Sequence, residues 1–250
     1  MRDITAFFAW LAGSELDKIT VLRYKEHLIT NYAPASVNSV LSSLNSFFEY
    51  NDWHGLKVKM LKIQKQIFAE RSKELTKAEY ERLLDAAKQK KNERLYYLMQ
   101  TICSSGIRVS ELSAITIESV KARRANIKCK GKMRVVILPK ELCKMLTEYA
   151  KRQKITSGPV FVTKTGKPLD RSAIWKMMKA LCESAGVDRD KVFPHNLRHL
   201  FARTYYSIQK DIVRLADILG HSSVNTTRIY TMETGDVHRR QIQKLGLLRL

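Results

Sequence analysis

Several features that define other protein classes are missing from this 250-residue sequence. It contains no run of about 18 apolar residues, and its N-terminus lacks a basic segment followed by an apolar one. Neither a membrane span nor a secretory signal is therefore predicted. The four cysteines are scattered without a C-x-x-C pair, which argues against a structural zinc site and a disulfide framework. We expect a cytoplasmic protein with reduced thiols and no membrane partner.

Acidic residues are also scarce, because 45 lysines and arginines face 24 aspartates and glutamates, for a formal net charge of +21. Hydrophobic residues make up 44% of the chain, which excludes a wholly disordered protein. Scattered lysines on a solvated surface account for part of the charge. An excess of this size also indicates a polyanionic partner, and nucleic acid is the first to consider.

Charge and hydrophobic pattern divide the chain into three parts. Residues 1–56 carry two more acidic than basic residues and repeat apolar residues at helical spacing, which predicts an all-helical first domain. Residues 57–73 hold six basic residues and one acidic residue without a turn residue, which predicts a basic linker. Residues 74–250 form the predicted second domain, which carries most of the positive charge and ends in an apolar tail at 237–250.

The second domain is predicted to be mainly α-helical with one small β-hairpin, an α+β fold. Thr76 and Glu79 have the spacing of a capping box, so a helix should begin there. Between residues 126 and 138 the hydrophobic period changes from helical to alternating, and Gly131 turns the chain, which predicts the hairpin. A short strand at residues 160–162 would extend this sheet.

Three motifs in the second domain contain residues suited to phosphate chemistry: Gly-Ile-Arg-Val-Ser-Glu-Leu at 106–112, His-Asn-Leu-Arg-His at 195–199 and Leu-Gly-His at 219–221. Phosphodiester transfer without a metal needs a nucleophile, compensation for charge on the non-bridging oxygens and a proton for the leaving oxygen. Arg108 and Arg198 suit the second need, because a guanidinium group donates two parallel hydrogen bonds to a phosphate. Glu111, one helical turn after Arg108, is a candidate ion-pair partner for that residue.

Together with a lysine on the hairpin and a tyrosine after the last motif, these motifs resemble the tyrosine recombinase/integrase family, most closely its Xer-like members. The resemblance covers residues 75–230 and, more loosely, the helical N-terminal part. It implies a two-domain architecture, with an all-α, SAM-like core-binding domain at 1–56 and a catalytic domain at 74–250 that close around a DNA duplex. The implied enzyme is a site-specific recombinase that cleaves and rejoins DNA through a 3′-phosphotyrosyl intermediate, with no metal and no other cofactor.

The resemblance also assigns catalytic roles to six residues: Arg108, Lys130, His195, Arg198, His221 and Tyr230. Tyr230 is the nucleophile, and the two arginines hold the phosphate. His195 exchanges a proton with the nucleophile, and His221 donates a hydrogen bond to a non-bridging oxygen. His199 is expected to be structural, and Thr226 and Thr227 are candidate caps of a short helix that presents Tyr230.

Lys130 is the expected general acid for the leaving 5′ oxygen. The hairpin is one residue shorter than is usual in the family, so Lys132, which we place in its turn, remains an alternative. Plain contact with the DNA backbone is the other interpretation of a lysine here. The residues expected to bind DNA are Lys57, Lys59, Lys62, Lys65, Lys128, Lys132 and Arg134.

The partner implied by the resemblance is a double-stranded DNA recombination site, bound by a dimer on one site and by a tetramer in the synapse. The tail at 237–250 would dock either on its own chain or on a neighbouring protomer, and the resemblance leaves room for an accessory protein. Two other functions stay open. A type IB-like topoisomerase has the same chemistry without strand exchange, and a DNA-binding regulator would use the scaffold without chemistry.

Overall fold

The computed structural model describes residues 2–63, 71–129, 132–163, 165–231 and 244. The chain divides into two compact units, Met1–Gln66 and Ile67–Leu250, each with its own hydrophobic core. The predictions for Lys65, for Lys130 and for the tail at 237–250 apart from Lys244 concern residues outside the described ranges.

The first unit is helical. It contains α1 (Arg2–Leu11), α2 (Lys18–Asn31), α3 (Pro34–Tyr50) and a 3₁₀ turn at His54–Leu56. Asp17 caps α2, because its carboxylate accepts a hydrogen bond from the Thr20 amide at 2.7 Å. The apolar faces of the three helices meet in a core that includes Phe7, Val21, Leu28, Val37, Leu41, Leu44 and Phe48.

The first residues of the segment predicted as a linker lie against α3. Val58 is buried in the core of the first unit. The side-chain amide of Asn45 donates to the Val58 carbonyl at 2.8 Å and accepts from the Val58 amide at 2.9 Å. Asn38 makes the same pair of hydrogen bonds with the backbone of Leu61. Two asparagines on one helix thus hold residues 58–61 in place.

The second unit contains nine helices within the described ranges: α4 (Lys77–Gln89), α5 (Glu93–Ser105), α6 (Ile117–Lys121), α7 (Lys140–Arg152), α8 (Arg171–Lys179), α9 (Cys182–Ala185), α10 (Pro194–Gln209), α11 (Ile212–Leu219) and α12 (Val224–Thr227). α4 begins with the predicted capping box, in which Thr76 and Glu79 exchange two hydrogen bonds. α5 and α10 pack against each other and bring two of the predicted motifs together. No helix in the described part of the chain is long and apolar enough to cross a lipid bilayer.

The predicted hairpin is formed by β1 (Arg124–Cys129) and β2 (Lys132–Ile137), which pair antiparallel. Cys129 pairs with Lys132, so Lys132 begins β2 and does not lie in the turn, as the sequence had suggested. Ile127 pairs with Arg134. The mainly helical fold with a small antiparallel sheet is confirmed.

The expected third strand at residues 160–162 is wrong, because the sheet of the described residues has two strands. The Val160 amide donates to the Ile115 carbonyl at 2.9 Å, away from the hairpin. Single bridges join Thr116 to Pro159 and Val162 to Pro168.

Candidate active site

Arg198 occupies the centre of the candidate site and is 1% exposed. Its guanidinium group donates to the carbonyl of Gly106, at the end of α5, and to that of Leu219, at the end of α11. Carbonyl oxygens at helix C-termini carry partial negative charge and stabilise a buried cation. Burial, followed by the charges of Arg108 and Arg134, lowers the pKa of Arg198 to about 10, so the group stays charged at neutral pH.

The C-terminal turn of α11 brings three arginines together. Its last carbonyls have no partner within the helix and form the negative end of the helix dipole. Three consecutive carbonyls each accept a hydrogen bond from a different arginine: Ile218 from Arg134 at 2.9 Å, Leu219 from Arg198 at 2.7 Å and Gly220 from Arg108 at 3.4 Å. The positive charge is thereby concentrated next to His221.

Glu111 links two of these arginines. It lies in a 3₁₀ helix at Val109–Ala114, and its side chain is buried. Its carboxylate accepts from the Arg108 amide at 3.0 Å, from Arg108 Nη1 at 3.1 Å and from Arg134 Nη2 at 2.5 Å. Burial raises the pKa of Glu111, but the hydrogen bond from the Arg108 backbone and the charge of Arg134 outweigh it, so the pKa lies below its usual value. The predicted Arg108–Glu111 ion pair is therefore present, with a second arginine added.

His221 directly follows the α11 turn. Its Nε2 lies 3.2 Å from Arg198 Nη2, and its Nδ1 lies 2.9 Å from Thr227 Oγ1. Because a guanidinium group only donates, Nε2 accepts, and the proton is assigned to Nδ1, which donates to Thr227. Burial, followed by the charges of Arg198, Arg108 and Arg134, lowers the pKa of His221 to about 4. The ring is therefore neutral at pH 7.

Thr227 orients the His221 ring, a role that the sequence did not suggest. Thr227 is the last residue of α12, and its side chain is buried. The prediction that Thr226 or Thr227 caps the helix that presents Tyr230 is wrong. Ser223 accepts the capping hydrogen bond of α12 from the Asn225 amide, and Thr227 holds the N-cap position of the 3₁₀ turn that ends at Tyr230 without making a side-chain capping bond.

Tyr230 ends the 3₁₀ turn at Arg228–Tyr230 and is 6% exposed. Its ring stacks on His221 with 6.4 Å between the centroids and meets the His199 ring edge-on at 5.1 Å. Burial raises the pKa of the Tyr230 hydroxyl, whereas Arg198 opposes this shift by its charge and by hydrogen bonding. The hydroxyl is therefore protonated, and it lies next to the central guanidinium group.

Two histidines of α10 lie beside this tyrosine. His195 is exposed at the start of the helix, and its ring centroid lies 4.3 Å from that of His199. Partial desolvation, followed by the charges of Arg198 and Arg108, lowers the pKa of His195. Burial and the neighbouring His195 lower the pKa of His199 to about 4. His199 Nε2 has no hydrogen-bond partner among the described residues, and packing between two rings agrees with a structural role.

The structure brings five of the six predicted catalytic residues into one cluster: Arg108, His195, Arg198, His221 and Tyr230. Lys130, the sixth, lies outside the described ranges. Within those ranges, no group of three or more His, Cys, Asp and Glu side chains is arranged to hold a metal ion.

The residues predicted to bind DNA differ in their surroundings. Lys59, Lys62 and Lys128 are exposed, whereas Lys57 pairs with Glu49 at 3.1 Å. Arg134 differs most from the prediction, because its side chain is 14% exposed and pairs with Glu111. The alternating pattern of β2 contained a signal for this, since residue 134 shares a strand face with the buried Val136.

Comparisons with known proteins show the family of the chain. The model of the phage integrase family matches residues 73–235. The chain is 30% identical to the tyrosine recombinase XerA of Thermococcus kodakarensis, over 98% of this chain and 87% of XerA. A crystal structure of XerA recombinase is similar with a TM-score of 0.58 at 25% identity, over 99% of this chain and 90% of that one. The XerH site-specific recombinase bound to a palindromic difH substrate shares the fold, with a TM-score of 0.73 at 22% identity, over 95% of this chain and 75% of that one. This chain belongs to the phage integrase family and is a tyrosine recombinase.

Proposed function

We propose that this recombinase cleaves and rejoins DNA by covalent catalysis with Tyr230 as the nucleophile. The observation that carries the proposal is the meeting of Arg198, His221 and Tyr230. Arg198 Nη2 lies 3.2 Å from His221 Nε2, and the Tyr230 ring stacks on the His221 ring. A tyrosine hydroxyl with an ordinary pKa of ~10 is a poor nucleophile by itself. A phosphate held by the guanidinium groups of Arg108 and Arg198 would bring phosphorus to the hydroxyl, and the positive charge of the two arginines favours loss of the phenolic proton.

The cleavage step exchanges one phosphorus–oxygen bond for another. Tyr230 Oη bonds to phosphorus, and the bond from phosphorus to the 5′ oxygen breaks. The phenolic proton passes to His195, and Lys130 gives a proton to the departing 5′ oxygen. In the joining step a 5′ hydroxyl of the partner strand loses its proton and attacks the 3′-phosphotyrosyl link, which releases Tyr230 as a phenol. The covalent link conserves the bond energy, so the reaction needs no nucleotide hydrolysis.

The remaining polar residues stabilise the transition state. Negative charge develops on the non-bridging oxygens as the tyrosine attacks, and preorganised donors are most effective there. Arg108 and Arg198 provide two guanidinium groups, and Glu111 fixes the first of them. His221 is neutral in the free chain, and a phosphate beside it raises the pKa of its ring and favours the doubly protonated donor.

Double-stranded DNA is the proposed partner, and the proposed location is with the DNA in the cytoplasm. The formal charge of +21 supports this partner, as does the XerH relative, which is bound to its difH substrate. An open cleft of about 700 Å³ beside His195 is lined by Arg171, Trp175 and Lys176, a basic and aromatic surface suited to a nucleic acid. Following the family, we propose a dimer on one site and a tetramer in the synapse, with the tail at 237–250 as a docking segment and room for an accessory protein.

The relatives favour strand exchange over the two alternatives. The tyrosine recombinase XerA matches nearly the whole chain, whereas a type IB-like topoisomerase would make the covalent link without exchange. A DNA-binding regulator has no need of a tyrosine beside a cluster of phosphate-binding groups. Efficient relaxation of a supercoiled plasmid that lacks a recognition site would favour the topoisomerase.

Capture of the covalent intermediate tests the proposal. Duplexes that bind the 250-residue chain are selected from a random-sequence library and then nicked near the centre, so that the cleaved end diffuses away. We expect the wild type to form a protein–DNA adduct that survives detergent, and Tyr230→Phe to bind the duplex without forming it, because the phenyl ring has no oxygen to attack phosphorus. Tyr205→Phe, in the same apolar cluster, is the control and should form the adduct. An adduct made by Tyr230→Phe would exclude Tyr230 as the nucleophile.

A further inference from the structure

Arg134 connects the hairpin to the candidate active site. It lies on β2 opposite Ile127, and its side chain turns away from solvent. Nη2 donates to Glu111 Oε2 at 2.5 Å, and Nη1 donates to the Ile218 carbonyl at 2.9 Å. One planar guanidinium group therefore joins three parts of the chain: β2, the 3₁₀ helix that follows Arg108, and the end of α11.

The contact with Glu111 affects Arg108. The Glu111 side chain is 6% exposed, and both of its oxygens are occupied by the two arginines. A buried carboxylate that loses one cation is left partly unpaired, which is costly enough to make it move or become protonated. Because the same carboxylate holds the Arg108 guanidinium and amide, any such change alters the placement of Arg108.

The contact with α11 affects His221. The Ile218 carbonyl that Arg134 holds lies in the same turn as the carbonyls bound by Arg198 and Arg108. His221 follows this turn directly. The aliphatic part of Arg134 also packs on Gly220 so closely that a Cβ atom there would overlap Arg134 Cδ. The position of the histidine therefore depends on the arginine beneath it.

We propose that Arg134 is a positioning residue, which fixes Glu111 and the end of α11 so that Arg108 and His221 face one phosphate. It does this from β2, the second strand of the hairpin. Arg134 does not itself contact DNA. The inference rests on the proposed function, in which Arg108 and His221 bind the scissile phosphate.

The test compares Arg134→Gln and Arg134→Lys with Arg124→Gln, which removes an exposed arginine from the far end of the same hairpin. The rate of adduct formation is measured on the selected nicked duplex at saturating protein. We expect Arg134→Gln to lower the rate of adduct formation in the bound complex by about 10- to 100-fold, with little change in duplex affinity. A small misplacement of catalytic groups has an effect of this size. Arg134→Lys should react more slowly as well, because the single nitrogen of lysine does not reproduce the two separate nitrogens through which the planar guanidinium group bonds to Ile218 and Glu111. Arg124→Gln should react like the wild type.

A pH profile provides a readout that general destabilisation would not move. The charged groups facing Glu111 are Arg108, Arg134 and Arg198. Without Arg134 the pKa of Glu111 rises, so the acid limb of the rate profile should move to higher pH in Arg134→Gln and stay in place in Arg124→Gln. The pKa of Glu111 is read directly from its carboxyl ¹³C resonance in the full chain without DNA, and thermal unfolding shows whether each variant folds. If Arg134→Gln fails to fold, Arg134→Lys decides by the same readouts.

Each outcome bears on one of the two proposals. A lower rate of adduct formation in the bound complex, together with a raised pKa of Glu111 in Arg134→Gln, supports the positioning role. If Arg134→Gln loses duplex affinity but reacts at an unchanged rate once bound, the positioning role is overturned and Arg134 is a DNA contact. If both the rate and the pKa of Glu111 are unchanged in Arg134→Gln, the positioning role is overturned as well. If the wild type itself forms no adduct, the proposed function fails. The contact between Arg134 and Glu111 is still tested in that case, because a Glu111 resonance that titrates alike in Arg134→Gln and in the wild type would refute it.

Discussion

The neutral state of His221 follows from the protein groups that surround its ring. Burial and three nearby arginines hold the pKa of the imidazole near 4. An oxyanion placed between Arg198 and His221 adds negative charge and favours the protonated ring. We expect added orthovanadate or inorganic phosphate to raise the pKa of His221 in a saturable manner, as followed by NMR of the imidazole nitrogens.

The same titration contains its own controls. His27, on α2 of the first unit, lies outside the candidate site, and its resonances should not follow the anion. Thr227→Val removes the partner of His221 Nδ1 and should weaken the anion response without removing any charge. A pKa of His221 that stays near 4 at saturating anion would show that the anion binds elsewhere.

The residues of the site differ in how far the sequence alone could place them. Arg108 and Glu111 are three positions apart, so one local turn is enough to predict their pairing. Arg134 is 23 residues from Glu111 and 84 from Ile218, and only the tertiary fold brings them together. The basic composition of the hairpin led to the prediction that its cationic residues contact DNA. That prediction did not distinguish Arg134, whose side chain faces the protein.

The end of α11 depends on Gly220. This residue has a φ of +64°, and a Cβ atom on it would overlap Arg134 Cδ. Gly186, at the end of α9, has a φ of +57°, but a Cβ atom on it would meet nothing within 4 Å. Alanine at Gly186 therefore meets backbone strain alone, whereas alanine at Gly220 meets strain and also displaces the arginine.

We expect Gly186→Ala to lower the free energy of unfolding by about 1 kcal/mol, the usual cost of a left-handed non-glycine residue. Gly220→Ala should lower it by more and should also slow adduct formation, because the Arg134 contacts with Glu111 and Ile218 are disturbed. Denaturant titrations of the two variants beside the wild type give both values. Equal losses, with adduct formation unaffected in Gly220→Ala, would mean that Arg134 moves aside without consequence.

Some elements of the fold are determined by residues that are close in sequence, and others by contacts between distant residues. The α4 capping box and the hairpin were predictable because their signals lie within a few residues, at Thr76 and Glu79 and in the alternation of β1 and β2. Residues 160–162 have the composition of a strand, yet Val160 bonds to Ile115 and the hairpin gains no third strand. Whether an apolar segment joins a sheet depends on which backbone groups the tertiary fold leaves beside it.

Across the whole molecule, the net charge is unevenly shared between the two units. Residues 1–66 contain eight basic and six acidic residues, so nearly all of the +21 belongs to residues 67–250. The net positive charge of the first unit comes from its last residues, which include Lys57, Lys59 and Lys62. Lys59 and Lys62 are exposed, whereas Lys57 is paired with Glu49 at 3.1 Å. If this segment follows a DNA backbone, the three lysines should contribute unequally.

Salt dependence measures this contribution in the full chain. Each phosphate neutralised on a duplex adds about 0.9 to the slope of log affinity against log salt concentration. We expect Lys59→Gln and Lys62→Gln each to reduce the slope by about 1, and Lys57→Gln to reduce it by less, because the Glu49 carboxylate already offsets its charge. Fluorescence anisotropy with the selected duplex at several salt concentrations gives the slopes. Equal reductions for all three lysines would show that the pair with Glu49 opens on DNA, and unchanged slopes would place the segment away from the duplex and leave the second unit to hold it alone.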